Sequence, residues 1–134
     1  MKYIVLIGRI LFAFLFIESG FTHFQNQTIE HAANHGVMMA NLLVPASGFI
    51  AIVGGLSILL GIKTKWGAWL LVLFLVPVTL IMHNFWVIND TKELEVQMIM
   101  FMKNLSILGG ALIIAYFGAG PLSIDYKKEI QKSV

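Results

Sequence analysis

Residues Ile4 to Phe24 read IVLIGRILFAFLFIESGFTHF, an apolar run that carries Arg9, Glu18 and His23 within it. A helix crosses the hydrocarbon core of a bilayer with about twenty such residues, and a charge inside is costly unless it is partnered or can reach an interface. The run therefore predicts a membrane span, and its polar side chains mark where the span meets something other than lipid. Arg9 and Glu18 are nine positions apart, which on a helix turning about 100° per residue sets them on opposite faces. They cannot satisfy each other. Arg9, near the start of the run, is expected to snorkel toward head groups. Glu18 is too short for that and is expected to find a partner on another helix.

The remaining chain continues the pattern. Of its 134 residues, 58% are hydrophobic and 12% charged, with mean hydropathy +0.85, against about 25% charged in soluble domains. This composition predicts one integral membrane domain, residues 1–134. The net charge of +2 comes from basic residues dispersed at helix ends rather than a basic stripe, which argues against nucleic acid as a partner. With no cysteine, disulfides, thiolate metal sites and thiol relays are excluded, so any redox role must use an external cofactor. Lys2 before an apolar run is superficially like a signal peptide. Arg9 interrupts the run and no A-x-A site follows, so the segment is expected to stay in the membrane.

Four apolar segments, Ile4 to Phe24, Leu42 to Ile62, Trp66 to Trp86 and Val96 to Phe117, each match the length of a span. The predicted fold is all-α: an integral membrane four-helix bundle. Lys2, Arg9, Lys63, Lys65, Lys127, Lys128 and Lys132 fall on one side and only Lys92 and Lys103 on the other, which predicts that both termini are cytoplasmic. The first external loop, Gln25 to Asn41, is expected to hold a short lid helix from Thr28 to Gly36. The second, Val87 to Glu95, reads as a solvated acidic patch. Ser47, Ala51 and Gly55 form a small-residue stripe suited to close helix approach, and Pro77 is expected to free a backbone carbonyl in mid-span. Trp66, Trp69 and Trp86 read as interfacial anchors.

Counted along the helices, Glu18 and Lys103 lie at a similar depth, about 10 Å below the external boundary. This predicts an ion pair between the first and fourth spans, with Asn104 or Ser19 adding hydrogen bonds that offset its desolvation. All four histidines fall on the external half. His31 and His35, at i and i+4, read as loop surface, whereas His23 and His83 abut the predicted polar pocket. Six methionines lean to the same side, a pattern open to Cu(I) ligation but read here as packing. No metal ligand is assigned.

The stretches Gly20-Phe21-Thr22-His23-Phe24, Gly54-Gly55-Leu56, His83-Asn84-Phe85-Trp86, Phe101-Met102-Lys103-Asn104-Leu105-Ser106 and Gly118-Ala119-Gly120-Pro121-Leu122-Ser123-Ile124-Asp125 resemble the DoxX family of small four-helix membrane proteins. The resemblance implies a plasma (inner) membrane protein related to the small subunit of thiosulfate:quinone oxidoreductase and to membrane components of oxidative-stress complexes. Where many relatives carry an acidic residue before the Gly-Gly, this chain has Ala51, Ile52 and Val53, and His23 stands where some have lysine. The resulting expectation is a membrane subunit or accessory protein of a redox system, an oxidoreductase subunit without catalytic cysteine. Its pocket in the external half of the bilayer would suit a quinone. Glu18, Lys103 and His83 would handle protons, and His23, Asn104, Ser19 and Trp86 would line the cofactor. Expected partners are membrane lipids, the quinone, a soluble or membrane oxidoreductase subunit and, as an open choice, a second copy of the chain. The alternatives are a non-catalytic scaffold recruiting other subunits, or a His- and Met-rich bundle binding metal or a small molecule.

Overall fold

A computed structural model describes residues 1–132; the last two positions of the expected 1–134 domain lie outside the described residues. Four long apolar helices account for the predicted spans: α1 (Lys2–Thr22), α3 (Ala40–Leu60), α4 (Thr64–Met82) and α5 (Thr91–Phe117). Two short helices, α2 (Asn26–Asn34) and α6 (Ile124–Lys132), and a 3₁₀ turn at Phe85–Val87 complete the chain, with no strand among the described residues. Large apolar side chains such as Phe14, Phe49, Leu73 and Ile113 stand on the outside of the bundle. In water such a surface would aggregate, and in a bilayer it faces lipid tails.

Successive spans run up and down, α1 packing on α3, α3 on α4 and α4 on α5. Phe12 of α1 reaches Gly110 of α5 and brings the first and last spans together. The shared core is small residues set among a few large ones: Ala13 and Phe16 from α1, Ala51 and Ile58 from α3, Leu71 and Phe74 from α4. Lipid tails are as apolar as leucine, so helices associate through close packing rather than the hydrophobic effect. The tightest approach is between α1 and α3, where a β-carbon on Gly20 would stand 2.7 Å from the Gly48 carbonyl and one on Gly48 2.6 Å from the Gly20 carbonyl. Of the expected stripe, Ala51 and Gly55 are buried as predicted, but Gly48 rather than Ser47 makes the crossing.

Three boundaries differ from the sequence reading. α2 starts at Asn26, two residues before the expected cap, and packs against the beginning of α3 through Ala32, Ala40 and Val44. The acidic patch is not a loop. Asp90 caps α5 by accepting from the Glu93 N–H at 2.9 Å, so residues 91–95 form the first turn of the helix, where an acid is stabilised by the helix dipole. Finally, the sequence reading defines no element after the fourth segment ends at Phe117, whereas residues 118–123 turn back under the bundle and lead into α6.

Candidate functional site

The bundle has two differently built ends. At the end that gathers the termini, Arg9 is buried at 5% exposure. It does not reach toward head groups as expected. Its guanidinium donates to the carbonyls of Ala119 at 3.1 Å, Leu122 at 3.0 Å and Leu59 at 3.4 Å. These oxygens belong to the last turn of α3 and the turn after α5, where helices leave carbonyls unpaired and carry partial negative charge. A planar fork of donors can serve several such oxygens at once. Gly61 makes the arrangement possible: its φ of +67° ends α3, and a β-carbon there would collide with Ser123 and crowd the Arg9 guanidinium.

The returning chain is fixed from the other side by Asp125. Its amide donates to the Gly61 carbonyl at 2.8 Å. One carboxylate oxygen accepts from the Lys63 N–H at 3.0 Å, and the other accepts from the Thr64 N–H at 2.9 Å and the Thr64 hydroxyl at 3.0 Å. Lys63, the residue before α4, is left-handed with φ +48° and its ammonium has no acceptor with which to cap the helix, so the carboxylate of Asp125, 62 residues on, does so. Burial pushes the Asp125 carboxyl up, but the N–H groups of Thr64 and Lys63, the Thr64 hydroxyl and nearby Lys128 outweigh it and hold it below the ordinary carboxylate value. This clasp of Arg9, Gly61, Thr64 and Asp125 was not anticipated as a unit. Its signal was present in the sequence: an arginine inside an apolar run, and an aspartate just after a Gly-x-Gly-Pro break.

At the opposite end the bundle is open between α3 and α4. A cleft of about 380 Å³ lies between the outer halves of α3 and α4, with walls that include Val44, Ile50, Phe74, Pro77 and Val78. α2 contributes Thr28 and Ala32 to its edge, and α1 contributes His23. The Ser19 carbonyl, which can only accept, lies 2.6 Å from His23 Nδ1 and fixes the hydrogen there. Nε2 is then the ring nitrogen left for a ligand. The imidazole edge packs on Phe74 with ring centroids 5.3 Å apart, which holds its orientation. Ser47 also lines the cleft, but its hydroxyl donates to the Val44 carbonyl at 2.7 Å.

The other sequence-predicted residues do not converge on this cleft. Glu18 and Lys103 are both exposed, and no ion pair joins them among the described residues; the Lys103 ammonium lies 3.3 Å from the Met100 sulfur instead. The expected pair is therefore corrected. α1 and α5 are not neighbours along most of their length, and similar depth does not bring side chains on different faces together. His83 ends α4 and shares a hydrogen bond of 2.7 Å with Gln97 of α5. Trp86 is exposed and packs with Phe85 and Phe101 at the start of α5. Asn104 is buried in the bundle, without a side-chain hydrogen bond to a described residue. Ser19 acts through its carbonyl, which also accepts from the Thr22 hydroxyl at 2.7 Å. His31 and His35 are exposed on α2 with rings 4.4 Å apart. No group of three His, Asp or Glu side chains suited to a metal forms among the described residues.

Four apolar spans, a polar clasp at one end and a cleft at the other define a small multi-pass membrane protein. The DoxX family model matches residues 4–84, and the chain belongs to that family. It is 31% identical over 90% of its length to the inner membrane protein YqjF of Escherichia coli and 29% identical over 91% to the inner membrane protein YphA of the same organism, spanning 88% of each. It is also 38% identical over 60% of its length to the ER-derived vesicles protein ERV29 of Saccharomyces cerevisiae, of which the chain spans only 26%. No solved structure matches.

Proposed function

We propose that this protein is a plasma-membrane accessory subunit of a redox system, oriented with both termini in the cytoplasm, that holds a quinone or quinol in the cleft between α3 and α4. The observation that carries the reading is one oriented imidazole, His23, in a cleft walled mostly by apolar side chains, with Thr28 and Ser47 its other polar lining residues. Ligand sites of about 300–1,000 Å³ with apolar walls and few polar groups fit molecules of this kind. A quinol hydroxyl would donate to the Nε2 lone pair, and an imidazole that has taken up that proton would donate to a quinone carbonyl, so one side chain can serve both forms. The isoprenoid tail would leave through the lipid-facing side beside Leu43, Leu73 and Ile81, which are exposed. Electrons would pass to a partner subunit.

Titration of a short-tailed quinol into the purified protein tests this. His23→Ala should weaken binding about threefold to tenfold, the worth of one hydrogen bond. Ala46→Trp, which fills the cleft from its exposed rim, should abolish binding while leaving the helix content unchanged. Undiminished binding by both variants would refute the site.

A further inference from the structure

A second cavity, of about 560 Å³, opens beside the clasp at the end of the bundle that gathers the termini. Lys63, Lys65, Lys128 and Lys132 surround it, and its only carboxylate among the described lining residues, Asp125, is engaged on the α4 amides. None of the four lysines makes an ion pair with a described residue. Against the single Asp125 carboxylate, which Lys128 also faces, the four ammonium groups leave an excess of positive charge around one concave space, and an anion seated between them offsets it. The walls are not uniformly polar. Trp66 and Phe117, both about three-quarters exposed, continue from the rim down the lipid-facing sides of α4 and α5. Tyr126 stands across from them on α6.

We propose that this cavity binds a phosphate-bearing anion, and that the anion is the head group of an anionic phospholipid. The position favours the lipid source over free phosphate: the cavity lies where α4 begins and α5 ends, at head-group depth, with aromatic side chains below it against which acyl chains can lie. Clustered lysines at a membrane surface recognise anionic lipid by this chemistry. The clasp shapes the site, because Gly118, Ala119 and Gly120 line it while Arg9 donates to the Ala119 carbonyl. The site is separate from the quinone cleft and does not depend on it.

Native mass spectrometry of the full chain in detergent, with phosphatidylglycerol and phosphatidylcholine supplied in equal amounts, tests the proposal. The wild type should retain phosphatidylglycerol in preference. The double variant K65Q/K128Q, at exposed positions, should lose roughly tenfold or more of that retention, whereas K92Q/K103Q at the opposite end should lose none. A parallel thermal scan with inorganic phosphate separates the sources: stabilisation by phosphate that is lost in K65Q/K128Q, without a preference for phosphatidylglycerol, would overturn the lipid assignment in favour of a free anion. No preference and no phosphate response in the wild type, or equal retention in K65Q/K128Q, would overturn the site.

Discussion

Arg9 illustrates how a charge in a membrane segment is accommodated chiefly by backbone carbonyls, with the Asp125 carboxylate nearby in the same clasp. Three carbonyls at helix ends accept its hydrogen bonds, and these bonds to a charged group are each worth about 1.5–3 kcal/mol. Arg9→Leu should therefore lower stability by about 3–5 kcal/mol, the usual loss when one side of a buried charged network is removed. Arg9→Lys should recover only part of it, since an ammonium lacks the planar fork; full recovery in a detergent melting curve would contradict the clasp geometry. Asp125 adds a pH dependence. Its carboxyl titrates lower in the folded protein than in the unfolded chain, so the stability it contributes is present above about pH 4 and is lost as pH falls through the folded value. Protection of the amides at the start of α4 against hydrogen exchange, taken relative to the unfolded chain at the same pH, should fall below about pH 4 in the wild type. In Asp125→Asn, which cannot titrate, that acid-dependent step should vanish. By contrast, Glu18→Gln and Lys103→Met, at positions that do not touch, should have stability effects that add to within about 0.5 kcal/mol.

At the level of the helices, the crossing of α1 over α3 rests on two glycines facing each other's carbonyls. Gly48→Ala forces a methyl group into the Gly20 backbone and should cost about 1–3 kcal/mol, the typical range for overpacking. Gly109→Ala is the matched control: nothing stands within 4 Å of its β-position, and removing glycine from a helix interior should stabilise by about 0.5–1 kcal/mol. If both changes cost the same, the glycines act through helix propensity and not through contact. The spans themselves were legible in the sequence, because length and hydropathy suffice to define them. Their ends were less so. Asp90 and Glu93 looked like solvated acids, since a cap is distinguished from a loop residue only by the backbone it meets, and α6 is too short and polar to announce itself by apolar periodicity.

Taken as a whole molecule, the protein ties its chain ends into a polar clasp at one end and holds a largely apolar cleft at the other. The membrane bundle and its family could be read from sequence because the relevant patterns are continuous along the chain. The candidate site was read only in part: His23 stands at the cleft, while Glu18, Lys103, His83 and Trp86 sit elsewhere. Depth along a helix is countable in sequence, but the face a residue presents to a particular neighbour depends on which helices adjoin, and here α4 lies next to α3 and α5 while α1 rests on α3. The central claim, a ligand cleft between the outer halves of α3 and α4, is tested most directly by photolabelling in lipid nanodiscs with a light-activated quinone analogue and mapping the adducts. Labels should fall within residues 43–50 and 73–82 and be suppressed by excess unlabelled quinone. Labels scattered over lipid-facing side chains such as Phe14 and Ile113, with no suppression, would contradict it.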